Sequence, residues 1–77
     1  MIYLIFNYDK LKDRMQQLRY NQVSLAKATN IERVTLNQKI NNRIMFKQDE
    51  ILSIANALDI GSDEIGVYFF TLIVKKR

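Results

Sequence analysis

The chain has 77 residues, a formal net charge of +4 and neither cysteine nor histidine. A thiol nucleophile, a disulfide framework, a structural zinc site and a histidine base are therefore excluded. The hydrophobic share of 48% is ordinary for a globular protein, and the length suits one domain over residues 1–77. No apolar run approaches the roughly 20 residues that span a bilayer, so we expect a cytoplasmic protein without a membrane partner.

Charge is distributed unevenly along the chain. Residues 1–47 hold nine basic and three acidic side chains, whereas residues 48–74 hold five acidic side chains and no basic one. Lys75, Lys76 and Arg77 add three positive charges. This pattern would turn the N-terminal half toward a polyanion, although charges of this modest total also occur simply to solvate a surface.

Hydrophobic periodicity and capping residues predict a mainly helical chain with a strand at each end. Asn7 and Asn21 are N-cap candidates, and Asn30 is a turn candidate because asparagine tolerates the left-handed conformation. The predicted elements, in chain order, are a strand over 1–6, helices over about 8–19, 22–29, 32–40 and 48–58, a helical turn after Gly61, and a strand over about 67–75.

The third predicted helix has a buried side and a distinctive opposite side. At 100° per residue, Leu36 and Ile40 lie within about 40° of each other and define the buried side. Val34 and Gln38 then point away from it, with Asn37 beside them and Arg33 at the N-terminal shoulder. Arginine can bind guanine, asparagine and glutamine can bind adenine, and valine can contact a thymine methyl group. An ordinary solvated helix face is the alternative, and single exposed apolar residues such as Val34 are common.

The last predicted strand is apolar on both faces. Tyr68, Phe70, Leu72 and Val74 alternate with Phe69, Thr71 and Ile73. A lone edge strand cannot bury so much apolar surface, which favours a dimer interface formed by Tyr68, Phe70, Leu72 and Val74. The alternative is that both faces are covered within the monomer by the first helix and the N-terminal strand, as part of an antiparallel ribbon.

Several segments resemble the Cro/phage-repressor (XRE-like) helix-turn-helix superfamily. Gln22-x-x-Leu25-Ala26, followed by Asn30-Ile31 and Leu36, is similar to its helix-turn-helix, and residues 54–65 are similar to its closing helices. Residues 7–12, 46–51 and 68–71 further resemble a small Cro-like family encoded by prophages of Gram-positive bacteria. The resemblance implies a five-helix, lambda-repressor-like DNA-binding domain with short N- and C-terminal β-strands.

The resemblance also implies roles for individual residues. DNA bases would be contacted by Arg33, Val34, Asn37 and Gln38, and the DNA backbone by Gln22, Thr35, Lys39, Asn42 and Arg43. The core of the helix-turn-helix would be formed by Leu25, Ala26, Ile31 and Leu36. Glu32 departs from the family, which usually has a serine or threonine cap at that position.

Two functions are consistent with the sequence. The first is a sequence-specific transcriptional regulator that binds double-stranded DNA as a homodimer, since one small module buries limited surface. The second is an antirepressor or antitoxin-like module that binds a partner such as a phage repressor, which Glu32 and the acidic 48–74 region favour. We expect no enzymatic activity, small-molecule substrate, metal or cofactor. The acidic pairs Asp49-Glu50 and Asp63-Glu64 suit helix first turns, and a glycine-rich phosphate loop is lacking.

Overall fold

The computed structural model describes residues 5–73, which form a mainly helical domain with a short strand at each end, as the sequence predicts. No helix within these residues has both the length and the apolar character required to cross a membrane. The described elements are β1 (Ile5–Phe6), α1 (Asp9–Gln17), α2 (Gln22–Thr29), α3 (Arg33–Ile40), α4 (Gln48–Ala57), a 3-10 turn (Ser62–Glu64), α5 (Ile65–Phe69) and β2 (Leu72–Ile73).

Local hydrogen bonds explain the bounds of α2, which agree with the prediction. The Asn21 side chain accepts a hydrogen bond from the Ser24 backbone N–H at 2.8 Å, and Ser24 Oγ accepts one from the Asn21 N–H at 2.9 Å. This reciprocal cap satisfies two backbone donors that the helix leaves unpaired. At the other end Asn30 has φ 58° and donates its N–H to the Ala26 carbonyl, so the predicted turn residue is confirmed.

The core draws on all five helices. The side chains exposed by 1% or less are Leu11, Leu25, Leu36, Ile54, Leu58 and Phe69. An aromatic row closes one side of this core, since Phe46 lies edge-to-face with Tyr8 and with Phe69, each at a centroid distance of 5.5 Å. Such pairs contribute about 0.5–1.5 kcal/mol beyond the area they bury. Leu25, Ala26, Ile31 and Leu36 are all buried, so the predicted helix-turn-helix core is confirmed.

The predicted strand over about 67–75 is largely wrong. Val67 and Phe69 belong to α5, and within the described residues β2 covers only Leu72–Ile73. The β-branched and aromatic composition favours a strand, but such preferences yield to packing. Here a helical backbone places Phe69, which is 1% exposed, against the core. Gly66 lies inside this helix.

The two strands form an antiparallel ribbon within one chain. Ile5 lies opposite Ile73 and Phe6 lies opposite Leu72, and the Asn7 N–H donates to the Thr71 carbonyl at 2.7 Å. Pairing within the monomer, the alternative left open by the sequence, is therefore present. The predicted strand residues 1–4, 74 and 75 lie outside the described residues.

Asn42 closes the other edge of β1. Its side-chain oxygen accepts the Phe6 N–H and its side-chain nitrogen donates to the Phe6 carbonyl, both at 2.9 Å. The backbone groups of Phe6 point away from β2, and the amide satisfies them as a neighbouring strand would. Asn42 itself has φ 63°, a conformation that asparagine adopts more readily than most residues. This residue therefore ties the end of α3 to the ribbon.

Replacing Asn42 with glycine should lower the free energy of unfolding by about 1 kcal/mol, because glycine keeps the positive φ but deletes two hydrogen bonds. Arg19→Gly is the matched control, since Arg19 also has a positive φ, 61°. There glycine should stabilise the protein by up to about 1 kcal/mol by relieving left-handed strain. Urea denaturation measures both, and equal effects would contradict the role of the Asn42 amide.

Candidate nucleic-acid interface

The orientation of α3 is set by its packing on α2 across a short turn. Ala26 is 7% exposed and the Ile31 N–H donates to the Ala26 carbonyl at 3.1 Å. A small side chain at this position lets two backbones approach closely. Ile31 is itself buried and joins Leu25 and Leu36 beneath the turn. The buried contacts on one side of α3 thus decide which side chains it offers to solvent.

The outward face of α3 has the composition that the sequence predicts. Val34 is 54% exposed, and it is among the more exposed apolar side chains of the described residues. Arg33 and Asn37 are exposed, whereas Gln38 and Thr35 are partly buried. Leu36 and Ile40, with 0% and 4% exposure, face the core. The surface therefore combines a long cation, two amides and an apolar side chain, which together can donate, accept and make apolar contact.

Gln22 and Asn37 are joined by a hydrogen bond between the two helices. Asn37 Nδ2 donates to Gln22 Oε1 at 2.9 Å. The bond holds the first residue of α2 beside the middle of α3 and does not use the amide nitrogen of Gln22 or the side-chain oxygen of Asn37. The predicted phosphate-contacting residue and a predicted base-contacting residue thus form one preorganised pair.

Glu32 occupies the N-cap position of α3 with extended backbone angles, φ −61° and ψ 137°. Its exposed carboxylate makes no side-chain capping hydrogen bond. A negative charge is favourable beside the positive end of a helix dipole, which gives Glu32 a structural benefit. The same charge would repel a nearby phosphate.

Lys39, which the resemblance predicts to contact the DNA backbone, is buried and paired within the protein. Its side chain is only 3% exposed and its ammonium group pairs with Glu50. The reason is geometric, since Lys39 lies three residues after Leu36 and therefore on the buried side of α3. Glu50 also accepts the Lys47 N–H at 2.8 Å, so its carboxylate links the last turn of α3 to the first turn of α4.

The ion pair determines the ionisation of Glu50. Burial alone would raise the pKa of this carboxyl, but hydrogen bonds from Lys39 and from the Lys47 backbone, with the positive charges of both lysines, hold the pKa below its ordinary value. The carboxylate is thus stabilised in its charged form in the folded protein.

Asn42 and Arg43 differ in how far they are free to contact a ligand. Both polar groups of the Asn42 amide bond the backbone of Phe6, so the side chain predicted to contact the DNA backbone is already engaged within the protein. Arg43 is exposed and its N–H donates to the Gln38 carbonyl at 2.9 Å. Its side chain therefore extends from a fixed backbone position just beyond α3.

The predicted dimer residues do not lie on one strand face. Tyr68 is partly buried within α5, whereas Phe70 and Leu72 are 52% and 49% exposed. Phe70 lies edge-on to Phe6 of the ribbon at a centroid distance of 6.0 Å. Val74 lies outside the described residues. Among the four predicted residues, Phe70 and Leu72 are therefore the exposed ones within the described residues.

Sequence reasoning missed the role of Arg14. Arg14 Nε donates to the Leu58 carbonyl at 2.9 Å and Nη2 donates to the Asp59 carbonyl at 3.2 Å. The guanidinium group thus caps the end of α4, where a positive charge is favourable. Only the long-range contact of α1 with the end of α4 reveals this role.

Within residues 5–73, no three acidic side chains lie together as a possible metal site.

The match to a known family comes from residues 4–72, which fit the family described as "Protein of unknown function (DUF739)". Because the match covers most of the chain, the protein belongs to this family. No curated protein matches the chain. The family description names no activity.

Glu50→Gln should reduce the loss of stability that the protein undergoes in acid. The pKa of Glu50 is lowered in the folded state, so its stabilising contribution is complete above its ordinary pKa of 4.5 and disappears as the pH falls through the lowered value. The variant should therefore be less stable than wild type at pH 7, and its free energy of unfolding should fall less between pH 7 and acidic pH.

Chemical denaturation at several pH values below 7 measures this difference. Asp13→Asn, which removes an exposed carboxylate on α1, is the control and should decline much as the wild type does. A decline in Glu50→Gln as steep as that of the wild type would contradict the stabilising role of the ion pair.

Proposed function

We propose that the protein is a sequence-specific DNA-binding transcriptional regulator of the Cro/phage-repressor type, with α3 as its recognition helix in the major groove. The observation that carries this proposal is the outward face of α3, where the 54% exposed Val34 is surrounded by arginine and amide side chains. A major groove about 12 Å wide admits such a helix. The prophage setting follows only from the sequence resemblance, and this role would be carried out in the cytoplasm.

Base reading is proposed for Arg33, Val34, Asn37 and Gln38. Arg33 and Gln38 offer hydrogen-bonding groups for guanine and adenine, and Val34 offers a methyl contact for thymine. Asn37 already donates to Gln22, so its free oxygen would act as an acceptor. We propose that Gln22 and Asn37 act together, with Asn37 at a base edge and Gln22 at a phosphate, rather than as two independent contacts.

Phosphate contacts are proposed for Gln22, Thr35 and Arg43. Gln22 begins α2, where unpaired backbone N–H groups favour an anion. Arg43 follows α3 and is exposed, so its guanidinium group can reach a phosphate beside the groove. Lys39 and Asn42 are omitted because both are occupied within the protein. These contacts would supply affinity and register, while α3 would supply discrimination.

We propose that the protein acts as a homodimer in which a second copy adds to the outer edge of β2. Within residues 5–73 the ribbon has two strands, and Asn42 already occupies the backbone groups of Phe6 on the β1 side. The edge of β2 is therefore the one left for pairing. Phe70 and Leu72, each about half exposed, would be covered by the same contact.

A protein-interaction module is the second candidate, as an antirepressor or antitoxin-like partner. A groove lined by Phe46, Ile51, Leu52, Ile65 and Phe70 favours it, because Leu52 and Phe70 are both more than half exposed there. Residues 48–73 contain no basic side chain. A stable 1:1 complex with a co-expressed phage repressor, together with no DNA affinity at low salt, would support this candidate against the first.

Arg33→Ala and Gln38→Ala should each weaken binding to the preferred DNA sequence by about 1–3 kcal/mol and relax discrimination at one base position. The preferred sequence is obtained by selecting bound DNA from a random pool, and affinities are measured by fluorescence anisotropy. Arg19→Ala and Gln16→Ala remove the same side chains from exposed positions near the end of α1, and they should change discrimination little.

Arg43→Ala should weaken all DNA sequences alike and reduce the slope of log K against log salt by about 0.9, since it removes one phosphate contact. Unchanged binding to every DNA in the Arg33, Gln38 and Arg43 variants would rule out the proposed interface.

Leu72→Glu should raise the dissociation constant of the homodimer by about tenfold or more. It places a charge in each protomer where the apolar side chain of Leu72 would be buried at the interface. Sedimentation equilibrium measures the effect. Leu18→Glu, at a side chain 39% exposed beside the end of α1, is the matched control and should leave the association unchanged. Equal dissociation constants for wild type and Leu72→Glu would exclude the β2 edge as the interface.

A further inference from the structure

The buried side of α3 contains a charged residue between two apolar ones. Leu36, Lys39 and Ile40 are exposed by 0%, 3% and 4% respectively. They lie at spacings of three and four residues, which form one face of a helix. An apolar side chain would be usual at the position of Lys39, since lysine is almost never fully buried unless it is paired.

Lys39 pairs with a carboxylate that belongs to another helix. Its ammonium group contacts Glu50 Oε1, and the same oxygen accepts the Lys47 N–H at 2.8 Å. Glu50 is 15% exposed, so both partners are shielded from water. This contact joins the C-terminal turn of α3 to the N-terminal turn of α4.

Stability alone does not explain a buried ion pair at this position. Replacing such a pair with apolar side chains of similar size is often neutral or stabilising, because removing charges from water is costly. A buried charge that loses its partner is costly, so the pair restricts the position of Lys39 relative to Glu50, whereas an apolar contact tolerates sliding and rotation. This restriction bears on the orientation of α3.

Small rotations of α3 would matter for reading bases. The outer surface of a helix lies about 5 Å from its axis, so a rotation of about 20° moves that surface by roughly 2 Å. Hydrogen bonds to base edges require donor–acceptor distances of about 2.7–3.2 Å, a window of only about 0.5 Å. Leu36 and Ile40 hold this eight-residue helix against the core, and the contact of Lys39 with Glu50 adds a polar restraint at its C-terminal turn.

We propose that Lys39 and Glu50 are positioning residues, which fix the rotation of α3 and so the direction of Val34 and Gln38 toward the bases. They increase discrimination between DNA sequences without touching DNA. This inference rests on the proposed DNA-binding function. A phosphate contact raises affinity for all sequences alike. The role proposed for Lys39 differs, because it raises affinity only for the preferred sequence.

The double variant Lys39→Met, Glu50→Gln tests the inference. Methionine preserves the length of the lysine stem, and glutamine keeps an oxygen to accept the Lys47 N–H. The control variant Lys10→Met, Asp13→Asn also removes one charge of each sign, from exposed positions on α1. For each protein, dissociation constants are measured with the DNA sequence that the wild type selects and with unrelated DNA of equal length, at several salt concentrations.

The double variant should have near wild-type thermal stability and unchanged affinity and salt dependence on unrelated DNA. Its preference for the selected sequence should fall about tenfold, which is comparable to the loss of one specific base contact. The control should keep the wild-type preference. Lys39→Arg retains a charge that can pair with Glu50, so it should keep most of the preference. If the double variant does not fold, Glu50→Asp, which keeps both charges but shortens the carboxylate side chain that Lys39 contacts, should lower the preference in the same direction.

Three outcomes would overturn the inference, and they are distinguishable. A folded double variant with full preference would show that the ion pair does not orient α3, while the proposed function would stand. If the slope of log K against log salt is smaller in the double variant by about 0.9, the value for one phosphate contact, then Lys39 of the wild type leaves Glu50 to bind DNA. A wild type that selects no sequence would overturn the proposed function, and the inference with it.

Discussion

The turn between α2 and α3 is the constraint on which the arrangement of the domain depends. Asn30 has φ 58°, and only a left-handed residue there brings Ile31 beneath the turn while its N–H bonds the Ala26 carbonyl. Leu25 and Leu36, both fully buried, can then meet from two different helices. Because one side of α3 therefore packs against the core, the opposite side is exposed to solvent. The proposed reading face is a consequence of this packing.

Much of the fold could be predicted because local signals and the core agree. The Asn21 cap and the Asn30 turn fix α2, and the apolar stripe of α4 gives Ile51, Ile54 and Leu58 as core residues, all buried. The C-terminal region could not be predicted in the same way. Its side chains favour a strand, yet the burial of Phe69 against Phe46 requires a helix. That contact spans distant parts of the chain and leaves no local signal.

The candidate site could be predicted in outline, since helical geometry alone separates the exposed Val34 from the buried Leu36. Its supporting contacts could not, because a residue type does not reveal its partner. Asn42 and Lys39 suit phosphate contacts as residue types, but one bonds Phe6 and the other pairs with Glu50. The spacing of Lys39 from Leu36 was an available signal for burial. The partner Glu50 could be identified only from the packing of α4.

These contacts change how the basic N-terminal half should be understood. Nine basic side chains precede residue 48, yet Lys39 is neutralised by Glu50 and Arg14 binds two carbonyl groups at the end of α4. The charge offered to a polyanion is therefore smaller than the sequence indicates, although Arg33 and Arg43 remain exposed on and just beyond α3. Because diffuse charge raises affinity for all DNA alike, engaging basic groups within the fold would favour discrimination over general attraction if the protein binds DNA as proposed. The exposed carboxylate of Glu32 would act in the same direction, since it penalises any binding pose that brings a phosphate close without compensating base contacts.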